Sequence, residues 1–121
     1  RELGFRTLNL RFSHAKPAAQ GIYVVRVQGL SSRTLAGVAS LGVRPTVEDA
    51  GRVLLEVHCL DWPAELGADA GYGRVLHVDL LHKLHDERKY AGLDELKAGI
   101  AADVRDARAW LALNPSTLAT R

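Results

Sequence analysis

Two groups in this sequence have the residue types and spacing for chemistry. Thr7 and Asn9 stand two positions apart, so an extended segment carries a hydroxyl and an amide oxygen on one side, a pair of hard oxygen donors suited to Mg²⁺ or its waters. Taken alone, such a pair is also ordinary turn chemistry. Glu56 is the second group, placed in a short apolar run, where a partly buried carboxylate is the kind of group that accepts a proton from an alcohol. A solvated or ion-paired glutamate is the competing reading of the same pattern.

Other chemistries find less support. The five histidines invite a metal reading, and His82 and His85 have i, i+3 spacing, but ligands on one strand share a face at i, i+2, and Cys59 points opposite to His58. Cys59 falls on an apolar face, where a packed core thiol outweighs a nucleophile. No G-x-x-x-x-G-K-[ST] loop and no G-x-G-x-x-G run is present, so any phosphate must be handled by other groups.

The elements that must position these groups are mostly strands. Residues 21–28 alternate, with Tyr23, Val25 and Val27 on one face, and lead into a turn at 29–32. Residues 34–43 form the hairpin partner, rich in Ala36, Gly37, Ala39, Ser40 and Gly42, a composition that predicts close approach of another backbone or a ligand. Arg44-Pro45-Thr46 ends that ladder, because proline cannot donate to it.

In residues 53–61 the odd positions Val53, Leu55, Val57 and Cys59 form an apolar face, while the even face places Glu56 and His58 between Leu54 and Leu60. Residues 73–84 alternate again, with Leu76, Val78, Leu80 and Leu84 expected inward and His77, Asp79 and Lys83 outward. Beyond Gly92, Leu96, Ile100, Val104, Ala107 and Leu111 recur at helical spacing, with Gly99 as a weak point and Asn114-Pro115 as the stop. Antiparallel strands followed by one amphipathic helix predict a small closed barrel with the helix packed on it.

Composition bounds the rest. A chain of 121 residues, 47% apolar and 25% charged, is expected to form one globular domain. The net charge is only +2, with basic and acidic residues interspersed and few aromatics, so a nucleic-acid partner is not expected. The single cysteine and the lack of any run of about eighteen apolar residues fit a cytoplasmic protein with no membrane partner.

The order of the motifs narrows the function. Leu3-Gly4-Phe5-Arg6-Thr7-Leu8-Asn9-Leu10 resembles the L-G-F-P-T-A-N-L signature of riboflavin kinases, and Gly21-Ile22-Tyr23-Val24-Val25-Arg26-Val27 resembles the G-V-Y-A-V-x-V strand that follows it. Gly37-Val38-Ala39-Ser40-Leu41-Gly42-Val43-Arg44-Pro45-Thr46 is similar to G-V-A-S-I-G-x-R-P-T-F, and Leu55-Glu56-Val57-His58-Cys59-Leu60-Asp61-Trp62 to L-E-V-H-L-L-D-F. Asp86-Glu87-Arg88-Lys89-Tyr90 and the helical segment continue the pattern through nearly the whole chain.

The resemblance implies a six-stranded antiparallel Greek-key β-barrel with a C-terminal helix alongside, spanning residues 1–121. It implies transfer of the ATP γ-phosphoryl group to the 5′-hydroxyl of riboflavin, giving FMN and ADP with Mg²⁺. Thr7 and Asn9 fall on its metal positions, and with Gly4 on its ATP and phosphate positions; Glu56 falls on the general base. Asp86, Glu87, Arg88 and Tyr90 fall on the flavin segment.

In bacteria this domain accompanies an FMN adenylyltransferase domain, the expected partner here. The glycine-rich nucleotide stretch that precedes Leu3 in the family is expected to be missing from a chain that opens at Arg1. Three positions depart from the pattern: Arg6 replaces Pro, Leu8 replaces Ala, and His85 stands where the family usually has Arg, giving a titratable cation next to the flavin segment. A barrel that binds flavin or nucleotide without turnover is the alternative.

Overall fold

The computed structural model describes residues 6–11, 20–44, 52–67, 70 and 73–118, with the backbone alone at 6–11, 43–44 and 52–53. Five strands form one antiparallel sheet: β1 (Arg6–Arg11), β2 (Gly21–Gln28), β3 (Leu35–Arg44), β4 (Arg52–Cys59) and β5 (His77–His85). Their order is β1-β4-β3-β2-β5. β1 therefore lies beside β4 rather than beside its sequence neighbour, the crossover that a Greek key requires. Among the described residues β1 and β5 end the order without pairing to each other, so the six-stranded closed form is not seen there.

Alternation along the strands splits the apolar residues between two clusters, one on each face of the sheet. The odd positions Val25, Val27, Leu35, Ala39, Leu41, Leu55, Val57 and Cys59 make one core. This is the apolar face that the β4 pattern predicts, except that the Val53 side chain lies outside the described residues. Even positions Ile22, Val24, Ala36 and Val38 turn to the other face and meet the helix α1 (Leu93–Leu113) through Ile100, Val104, Ala107, Trp110 and Leu111. Burial at about 25 cal/mol per Å² of apolar surface on both faces makes register costly to change, since a one-residue slip exchanges the two sets.

The helix matches its predicted spacing. Asn114 closes it: its backbone N–H donates to the Leu111 carbonyl at 3.1 Å, and its side-chain amide donates to the Trp110 carbonyl at 2.9 Å. A short 3₁₀ turn, Pro115–Leu118, follows. There the Thr117 carbonyl accepts from Arg26, whose guanidinium also holds Asp79 at 2.6 Å and so ties β2 to β5.

β5 departs from the expected alternation. Strand structure begins at His77, not at 73, and its pairing with β2 shifts register twice, between Ile22 and Tyr23 and between Val24 and Val25. At each bulge two β5 residues oppose one partner, so neighbours reach the same face. Leu81 and Leu84 pack in the helix-side cluster, His82 stacks on Trp110 with ring centroids 5.2 Å apart, and His85 bonds the helix. Leu80, expected inward, is instead 37% exposed, whereas Leu76 and Val78 pack against the opposite core.

Candidate functional site

Glu56 and His58 interrupt the apolar pattern on the helix-facing side of β4. Register extends their positions into two rows across all five strands. In one row Asn9 opposes Glu56, Glu56 opposes Ser40, Ser40 opposes Ile22, and Ile22 opposes His85. In the next, Thr7 opposes His58, followed by Val38, Val24 and His82. Directly opposed residues of an antiparallel pair belong to one face. The pairing of β1 with β4 thus sets Thr7 and Asn9, some fifty positions earlier in the chain, beside the Glu56 and His58 positions.

Ile22, Val38, Ser40, Glu56 and His58 of these rows line a cavity of about 200 Å³ between sheet and helix. Val38, Ala39, Ser40, Glu56 and His58 form its sheet side, and Leu96, Ile100 and Asp103 its helix side. Glu87, Arg88 and Tyr90, from the segment joining β5 to α1, complete the lining. This volume is below the ~300–1,000 Å³ of sites for drug-sized ligands.

Glycines let the connecting segment approach. A Cβ on Gly42 would collide with the Glu87 carboxylate, and one on Gly99 would come within 2.6 Å of the Tyr90 ring. The small residues of β3 therefore do mark close approaches. Ser40 Oγ donates to Glu87 Oε2 at 3.4 Å, and a Cβ on Gly37 would sit 2.9 Å from the His58 carbonyl.

Electrostatics separate the titratable groups. Burial lowers the pKa of His58 from its ordinary value, against a weaker pull upward from Glu56 and Asp103. Cys59, on the opposite face, is buried in the core and its thiol is pushed up to about 11 by desolvation, so it stays protonated and remote from the cavity. His85 places Nε2 2.6 Å from Asp103 Oδ1 and Nδ1 2.6 Å from the Asp86 carbonyl. His82 and His85 consequently serve separate contacts, and among the described residues no three His, Cys, Asp or Glu side chains gather as a metal site.

Of the residues singled out from sequence, Glu56, Glu87, Arg88 and Tyr90 come together around the cavity. Thr7 and Asn9 are on an extended strand, as expected, in register with it. Asp86 is not part of the lining; its carboxylate pairs with Lys83 at 2.7 Å. Gly4 lies outside the described residues. The sequence reading did not single out Ser40, His58 or Asp103 for the cavity. Asp103 did leave a signal: it continues the apolar stripe Leu96, Ile100, Asp103, Ala107, a buried-side position held by an acid.

Comparison with known proteins bears on the family. A family model described as riboflavin kinase (flavokinase) matches residues 1–111. The bifunctional riboflavin kinase/FMN adenylyltransferase of Escherichia coli K12 is 42% identical over 113 residues, which cover 93% of this chain and 34% of that protein. Its counterpart in Pseudomonas fluorescens is 40% identical over 109 residues, 90% of this chain and 33% of its own length. This chain therefore spans about a third of the length of these curated relatives.

A crystal structure titled a macrolide-efflux protein, from Streptococcus pneumoniae, superposes with a TM-score of 0.71 at 27% identity over 90% of this chain and 34% of that one. Among the described residues of this chain, no helix is long and apolar enough to cross a membrane.

Proposed function

Since this chain belongs to the riboflavin kinase family, we propose that it transfers the γ-phosphoryl group of ATP to the 5′-hydroxyl of riboflavin, yielding FMN and ADP. The observation that carries the reading is the position of Glu56, on the cavity wall and in register with Asn9 on one side and Ser40 on the other. The ribityl end of the flavin enters this cavity, and Glu56 orients its 5′-hydroxyl. A bond forms between that oxygen and the γ-phosphorus as the bond to the β,γ-bridging oxygen breaks. The hydroxyl proton passes to Glu56 and on to solvent. Glu87, Arg88 and Tyr90 hold the flavin from the other wall, and closure of the sheet into the family's six-stranded barrel belongs to the same reading.

The donor set suits a divalent metal that arrives with the nucleotide. Thr7 and Asn9 offer two neutral oxygen donors on β1 in the rows of His58 and Glu56, enough to assist a hard cation and too few to hold one without phosphate oxygens and water. Mg²⁺ bound there would offset phosphate charge.

Incubating the chain with riboflavin, ATP and Mg²⁺ and separating the flavins by chromatography tests the proposal. FMN that accumulates with time and requires both ATP and the metal is the expected result. Retention of unmodified riboflavin by the protein would make it a binding module instead.

A further inference from the structure

The segment over the cavity is fastened at both ends to one face of α1. Tyr90 lies over Gly99, and His85, the last residue of β5, bonds Asp103. Positions 99 and 103 are about one helical turn apart, roughly 6 Å along the axis. Glu87 and Arg88 thus lie between two anchors on a single rigid element, with Glu87 also accepting the longer, exposed bond from Ser40 of β3.

The His85 anchor is built with both ring nitrogens. A carbonyl only accepts, so Nδ1–H donates to Asp86 at 2.6 Å, while Nε2 lies 2.6 Å from Asp103 Oδ1. These side chains are 14% and 9% exposed, and Asp103 is the one buried polar or charged residue among those described. A buried polar pair adds little stability over apolar groups of the same shape, but its bond geometry can fix a register. Here the register is that of the first peptide of the segment against the helix. The neighbouring Lys83–Asp86 pair is exposed and cannot replace this constraint.

We propose that His85 and Asp103 are positioning residues that hold residues 86–90 over the cavity and thereby set affinity for the flavin substrate, without touching the reacting atoms. The inference rests on the kinase reading, and steady-state formation of FMN tests both separately. For His85→Gln and Asp103→Asn the KM for riboflavin should rise on the order of tenfold, the cost of leaving one buried hydrogen-bond partner unsatisfied. The KM for ATP should stay within about twofold in both, and kcat within about twofold in His85→Gln, whose site lies outside the cavity lining, a split that loss of structure alone would not produce.

His85→Arg, which keeps two N–H donors, should restore the riboflavin KM. The double variant should lose no more than either single change, because both remove one interaction. If the single variants fold poorly, the apolar pair His85→Leu with Asp103→Leu keeps the packing and should still show the raised riboflavin KM. Unchanged riboflavin KM in folded variants, or equal losses for both substrates, would overturn the positioning role. A wild-type chain that makes no FMN would instead overturn the kinase reading.

Discussion

Glu56 occupies a strand whose opposite face is fully committed to the core, so its side is fixed by Leu55, Val57 and Cys59 rather than by its own preference. If it accepts the hydroxyl proton, Glu56→Gln keeps shape and hydrogen-bonding capacity while removing the base. FMN formation should fall by about 10²–10⁴ with the fold intact by circular dichroism; a variant retaining a tenth of wild-type turnover would assign the proton elsewhere. His58, two residues on, makes a separate prediction about stability. Burial lowers its folded pKa below the ordinary 6.5, so on acidification the unfolded chain takes up the proton first. Its destabilising effect is therefore absent above that value and grows as pH falls below it towards the folded pKa. Urea midpoints should decline from pH 7.5 to 5.5, and His58→Gln should flatten that decline; an equal slope in both proteins would show that other groups cause it.

At the scale of elements, the helix and the segment before it are coupled through a residue that helix propensity alone would replace. Gly99 costs α1 roughly 1 kcal/mol relative to alanine, yet a Cβ there would meet the end of the Tyr90 side chain, which can swing aside more easily than backbone can move. Gly99→Ala should leave thermal stability unchanged or slightly raised while increasing the KM for riboflavin. A variant with higher stability and unaltered KM would detach Tyr90 from the site. The same elements show what alternation and spacing can reveal. β2, the apolar face of β4 and the stripe on α1 repeat with the periods of their structures, so their buried faces were legible. β5 was not, because its two bulges are set by pairing with β2, and they turn Leu81, His82, Leu84 and His85 to the helix while leaving Leu80 half out. Asp103 was passed over within the helical stripe, and only the approach of His85 after the second bulge gives that acid its partner. Thr7 and Asn9 could be paired with each other by spacing, but their rows with His58 and Glu56 required the β1–β4 crossover.

At the scale of the whole molecule, the names of the relatives raise the question of a second reaction. Proteins about three times as long carry both the kinase and the FMN adenylyltransferase names, and this chain aligns with only 34% of the E. coli protein. Adenylylation of FMN needs a nucleotide site that binds the α-phosphate for attack, distinct from one that presents the γ-phosphate. The sequence has no G-x-x-x-x-G-K-[ST] loop and no H-x-G-H run to serve it, and the described cavity is already lined by the residues assigned to the first phosphorylation. The chain should therefore make FMN and carry it no further. Given FMN, ATP and Mg²⁺, it should form no FAD above a protein-free control over the period in which riboflavin is fully converted. FAD that accumulates in proportion to protein and persists through repurification would overturn this limit. In that case Glu56→Gln should lower FMN formation by the same ~10²–10⁴ and spare FAD formation, since attack by the phosphate of FMN needs no base to take a hydroxyl proton.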